Sequence, residues 1–220
     1  EDGYPSIPDY GDGVLTSQRN LKHVPWALQA PPLTAADGAV GDGFGYSVDV
    51  SGDRLVIGAP GMDIGAAADA GAAYAFARSG TSWEPVVVTL TGGGNSPRLD
   101  LGTEGRGDDF FGASVAIDRE RIVVGVYGRD HAVGADAGEA FAYGWKEGAW
   151  RLETPIDPLF GSDAGAGDQV GRAVAISGNR ALLGAPQIDG RLGAGATDTD
   201  GAGYVYIRTV GPPNAVISAE

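Results

Sequence analysis

Phe44-Gly45-Tyr46-Ser47-Val48, then Val56-Ile57-Gly58-Ala59-Pro60, then Gly71-Ala72-Ala73-Tyr74-Ala75-Phe76, with Trp83 behind them, decide the fold because the chain writes them again. The second version reads Phe111-Gly112-Ala113-Ser114-Val115, Val123-Val124-Gly125, Gly138-Glu139-Ala140-Phe141-Ala142-Tyr143 and Trp150. The interval is 67 residues at five landmarks: Phe44 to Phe111, Gly58 to Gly125, Gly71 to Gly138, Tyr74 to Phe141 and Trp83 to Trp150. A third version has Val170-Gly171-Arg172-Ala173-Val174 and Leu182-Leu183-Gly184-Ala185-Pro186, 59 residues beyond the second. It continues with Gly201-Ala202-Gly203-Tyr204-Val205-Tyr206 at an interval of 63, so four residues are inserted before that segment. A constant offset over so many landmarks is the mark of stacked repeats rather than of separate domains.

Each version reads as four short strands. Tyr46 to Val50 alternates apolar and polar residues and stops at Ser51-Gly52-Asp53, a hairpin composition. Leu55 to Ile57 is continuously apolar, which predicts burial on both faces. Ala72 to Ala77 places Tyr74 and Phe76 on one face by the period of two. Trp83 to Leu90 is the fourth, with Pro85 expected near the start of an edge strand. The counterparts are Ala113 to Ile117 and Arg172 to Ile176 for the first strand, and Ile122 to Val124 and Ala181 to Leu183 for the second. The reading is all-β: propeller-type blades of four antiparallel strands, three repeats in the chain.

Composition agrees. Hydrophobic residues make up 43% of the 220, enough for a core, and 38 glycines favour strands and tight turns over helices. With no cysteine, neither disulfides nor thiolate metal sites are available. The net charge is −14 and Lys22 and Lys146 are the only lysines, which argues against nucleic acid and anionic membrane as partners. No apolar run reaches the length of a membrane span. Glu1-Asp2-Gly3 does not read as a signal peptide, so a secreted protein is expected here in processed form.

Phe-Gly near the start of each repeat and Gly-Ala-Pro after its second strand resemble the FG-GAP repeat, seen in the propeller heads of integrin α subunits and in bacterial secreted proteins and lectins. The resemblance spans roughly residues 36–207. Gly125-Val126-Tyr127 replaces Gly-Ala-Pro in the second repeat, and Val170-Gly171 replaces Phe-Gly in the third. It implies an extracellular or cell-surface location and work by adhesion or assembly.

The expected division is an N-terminal arm at 1–25, a strand at 26–35, blades at 36–101, 102–160 and 161–210, and a tail at 211–220. The third blade lacks its outer strand, since no tryptophan follows Tyr206-Ile207-Arg208 at the equivalent place. The segment from Trp26 through Leu28 to Leu33 has the spacing of Trp83 to Leu90, and is expected to complete a blade of the third type beside Tyr204 and Tyr206, in its own chain or a neighbouring one. Three blades fall short of the four to eight that close a propeller. Three outcomes are open: a ring made by two chains, an open fibre, or a piece of a longer propeller. Strand donation between chains, a homo-oligomer or filament, accounts best for an unpaired blade edge.

Acids recur in register. Asp37 and Asp42, Glu104 and Asp109, and Asp163 and Asp168 precede the first strands with a spacing of five. Either the second acid of each pair holds backbone N–H groups of the following turn, or the loops take calcium. Asp63, Asp130 and Asp189 follow the second strands, and Asp198 and Asp200 partly match the Asp-x-Asp-x-Asp-Gly calcium loops of integrin-like propellers, which makes these five the candidate ligands. Arg106-Gly107-Asp108 spells an integrin-recognised tripeptide, but two of its letters belong to the repeat itself. His23 and His131 have no partner motif, and no Gly-x-Ser-x-Gly elbow occurs, so the chain reads as non-enzymatic. A lectin-like module binding glycans or cell-surface proteins is the alternative, with Trp145 and Tyr127 as the aromatics outside the blade register.

Overall fold

Gly52 and Gly178 turn the first hairpins of two repeats, Arg119 takes the same left-handed place in the other, and apolar residues at alternate strand positions give antiparallel ribbons wherever the sequence repeats. A computed structural model describes residues 32–89, 95–132, 134–156, 165–187 and 201–207. The elements lie in one compact unit, Leu33–Glu220. Blade 1 contains β1 (Ser47–Ser51), β2 (Arg54–Ala59), β3 (Ala72–Ser79) and β4 (Ser82–Pro85), joined in that order. Blade 2 contains β7 (Ser114–Asp118), β8 (Arg121–Val126), β9 (Glu139–Lys146) and β10 (Ala149–Ile156), and blade 3 contains β11 (Ala173–Ser177), β12 (Arg180–Ala185) and β13 (Ala202–Ile207).

The equivalent hairpins share one register: Val48 faces Ile57, Val115 faces Val124, and Val174 faces Leu183. Repetition in sequence has become repetition in pairing. Tyr74 and Phe76 share a face and pack with Ile57, as the two-residue period requires.

The fourth strand of blade 1 departs from expectation. Trp83 to Leu90 is not one strand, because β4 ends at Pro85 rather than beginning near it. Val86 still donates to the Ala75 carbonyl, at 2.8 Å, and the chain then leaves for blade 2. There β5 (Val88–Thr89) runs parallel to β10 and pairs with β6 (Asn95–Ser96), making a six-stranded sheet. Leu99 returns to blade 1, exchanging two hydrogen bonds with Ala73 at 2.9 and 2.7 Å. This excursion covers the outer edge of blade 2, an edge that would otherwise present unpaired backbone.

The core lies between blades. Val56, Ala73 and Ala75 of blade 1 pack on Ile117, Ile122, Val124, Tyr143 and Trp150 of blade 2. Val123 and Ala140 of blade 2 pack in turn on Ala181, Leu183 and Ala185 of blade 3.

Burial raises the pKa of Tyr74 and Tyr143, each 3% exposed, and the Tyr74 hydroxyl also donates to Asp37 Oδ1 at 2.9 Å. Because the folded values stand above the ordinary 10.0, this contribution is whole below pH 10 and fades as pH climbs through the folded values. Tm is therefore expected to drop above pH 10, each tyrosine adding up to about 1.4 kcal/mol per pH unit to the slope. Tyr74→Phe with Tyr143→Phe should flatten that limb; an unchanged slope would refute the assignment.

Candidate functional site

The recurring loop acids fall into two structural roles. Asp42, Asp109 and Asp168 are buried, and their Oδ2 atoms accept the backbone N–H of Ala39, Arg106 and Gly165 at 2.7, 2.7 and 2.8 Å. In all three blades a donor lies three residues before the acid, whereas the sequence pointed to the turn that follows. The carboxylate must reach back because the loop closes before the strand begins. Arg106, Gly107 and Asp108 are exposed in blade 2, and the turn at Gly107-Asp108 recurs at Val40-Gly41 and Ala166-Gly167, so the tripeptide occupies a turn that the other repeats also build.

Asp63 and Asp130 have the second role. Asp63 Oδ1 accepts the N–H of Asp69 at 3.0 Å, and Asp130 Oδ1 that of Asp136 at 3.1 Å. Asp69 and Asp136 both have φ of 52°. This bend presents three successive carbonyls to the next blade: Ala68, Asp69 and Ala70 accept from Asp108, Phe110 and Phe111. Ala135, Asp136 and Ala137 accept likewise from Gly167, Gln169 and Val170. Each acid thus braces a blade joint. Calcium takes six to eight oxygens, and among the described residues no three acid, histidine or cysteine side chains are grouped so as to hold a metal ion. Asp63 and Asp130 each commit one carboxylate oxygen to a backbone N–H; Asp189, Asp198 and Asp200 lie outside the described residues.

Around these connectors the two joints repeat side chain by side chain. Ser47 Oγ donates to the Gly112 carbonyl at 2.8 Å, and Ser114 Oγ to that of Gly171 at 2.7 Å. Arg54 Nη1 donates to the Arg119 carbonyl at 3.2 Å, and Arg121 Nη1 to that of Gly178 at 3.1 Å. Ser51 Oγ accepts from Arg119 N at 2.9 Å, as Asp118 Oδ2 accepts from Gly178 N at 2.6 Å. Gly58 and Gly125 lie so close to the Gly112 and Gly171 carbonyl oxygens that a Cβ would overlap them.

Beyond these two joints, strand faces are open. Val48 and Val50 of blade 1 are 66% and 61% exposed, whereas their equivalents Val115 and Ile117, covered by blade 1, are 8% and 4% exposed. On the opposite face Leu182 of blade 3 is 45% exposed, against 0% for both Val56 and Val123. The exposed Val48 and Val50 side of blade 1, beside Ile57, Tyr74 and Phe76 that Leu33 and Ala35 cover, and the Leu182 side of blade 3 are the candidate functional surfaces.

The assembly residues named from sequence are placed only in part. Leu33 packs against the Ile57, Tyr74 and Phe76 cluster of blade 1. Among the described residues Leu33 is not in a strand. A leucine needs an apolar seat, and blade 1 supplies one. Tyr204 and Tyr206 stand in β13 opposite Leu183 and Ala181. Trp26 and Leu28 lie outside the described residues. Tyr127 stacks on Phe110 at 5.0 Å, with the Arg172 guanidinium 4.1 Å above it. Trp145 meets Trp150 edge-on at 5.3 Å under Arg54. Both aromatics contribute to packing.

Sequence reasoning missed one cluster. Arg129 lies between Asp109 (2.9 Å) and Glu139 (3.1 Å), and His131 is 3.4 Å from Glu139. Blade 1 has Met62 and Ala72 at the places of Arg129 and Glu139, so a cation and an anion arriving together between repeats was the available signal.

The model of the FG-GAP repeat family matches residues 26–76, 102–143 and 156–207. No curated protein matches the chain. Among the described residues no helix is long and apolar enough to cross a membrane.

Proposed function

Because the chain belongs to the FG-GAP repeat family, whose model matches more than half of its 220 residues, we propose that it is a non-enzymatic structural or adhesive module of the cell exterior that joins copies of itself. The observation that carries the reading is a strand edge without a partner among the described residues. Blades 1 and 2 each have a fourth strand, whereas the third sheet ends at β13 among the described residues. Unpaired strand edges accept further strands, and the segment bearing Trp26 and Leu28 has the spacing to be one.

Glycan binding has less support, since Tyr127 and Trp145 are occupied by neighbouring rings and guanidinium groups. Light scattering of the full chain is expected to give a multiple of the monomer mass. Trp26→Asp with Leu28→Asp should return the monomer. A strictly monomeric wild type would end the self-assembly reading.

A further inference from the structure

We propose that the open face of blade 3 docks on the open face of blade 1 in a second copy of this chain, repeating head to tail the joint made twice within the molecule. The inference rests on the self-assembly reading and names its surface. Arg54 and Arg121 donate across joints to the carbonyls of residues 119 and 178. The next residue in that series is Arg180, exposed on blade 3, and the next acceptor is the Gly52 carbonyl, exposed on blade 1. Ser177 likewise continues Ser51 and Asp118, which accept the N–H of residues 119 and 178.

Gly184 supplies an independent observation. In blades 1 and 2 the equivalent glycine is forced by the carbonyl of the next blade. At Gly184 the nearest atoms to a Cβ are those of Ala173, at 3.5 Å, an ordinary contact, and its φ is not positive. Nothing described within the chain requires glycine there, and glycine inside a strand is unfavourable. A second copy's Gly45 carbonyl, in the place of Gly112 and Gly171, would require it. Blade 1 also has donors waiting: the N–H groups of Gly41, Gly43 and Phe44, equivalent to those of Asp108, Phe110 and Phe111, find no acceptor among the described residues.

One handle is absent. Ala173 stands where Ser47 and Ser114 donate their hydroxyls, so this joint has one hydrogen bond fewer than the internal ones. Net charge of −14 opposes the approach of two copies, and moderate salt should screen that repulsion and favour assembly.

Sedimentation of Val50→Asp and Leu182→Asp tests the joint, since both sites are exposed and tolerate a charge in the free chain. Each variant spoils one face, and burying an unpaired carboxylate should weaken association by roughly 100-fold or more. Each alone is expected to run as a monomer, while an equimolar mixture forms a one-to-one pair through the single intact joint. Gly184→Val should behave as Leu182→Asp does, with its own fold intact by circular dichroism. Wild type that assembles while the variants also assemble would overturn the joint and leave self-assembly standing. A mixture that stays monomeric would overturn head-to-tail docking. A monomeric wild type would end both.

Discussion

Gly125→Ala is expected to destabilise the chain by about 3 kcal/mol, whereas Gly184→Ala should leave it unchanged or raise its stability by about 0.5–1 kcal/mol. The two glycines hold equivalent positions, 59 residues apart, in strands of the same register. They differ in what lies beyond. A methyl on Gly125 would enter the Gly171 carbonyl oxygen and Ser114 Oγ, and the carbonyl belongs to backbone that cannot swing aside as a side chain can. Relief requires blade 3 to move away from blade 2, opening the contacts of Val123 and Ala140 with Ala181 and Leu183. At Gly184 the methyl meets only Ala173 at contact distance. Thermal or urea unfolding of dilute protein checks both. Equal costs at the two sites would mean that the joint does not decide the need for glycine.

That contrast also marks how far the sequence alone could be read. The blades were legible because period-two apolar patterns and hairpin glycines act locally, and the offset between Gly58 and Gly125 carries directly into register. Partner choice was not local. Nothing in Trp83 to Leu90 says that Val88 will leave its own blade for Trp150, since a strand's neighbour is set by the edge it meets. The acids were legible as a pattern but not as a role. A carboxylate can satisfy an N–H or a cation equally well, and the φ of 52° at Asp69 and Asp136, where the N–H meets the acid, is not written in residue type. The open faces were hidden for a related reason. Val48 and Val115 are the same residue at the same repeat position, and only the presence of a preceding blade separates an exposed valine from a buried one.

Arg129→Met should cost about 3–5 kcal/mol, because it removes from two buried carboxylates the guanidinium that both face. Asp109 and Glu139 are 1% and 4% exposed, and Arg129 reaches both, at 2.9 and 3.1 Å, while also donating to the Glu104 carbonyl at 2.6 Å. For a chain of this size the loss corresponds to a fall in Tm of roughly 6–20 °C. Blade 1 supplies the control within the same molecule. There Met62 and Ala72 occupy the two places, both buried, and Asp42 is held with the Ala39 N–H at 2.7 Å. An apolar pair therefore fills this site when cation and anion are replaced together. Arg129→Met with Glu139→Ala should recover most of the stability that the single change loses, since buried ion pairs exchanged for packed apolar groups are often neutral. The double-mutant cycle reads the coupling between the two changes. A double variant no more stable than Arg129→Met would show that Arg129 acts through Asp109 or the Glu104 carbonyl, and that Glu139 is not the group it neutralises.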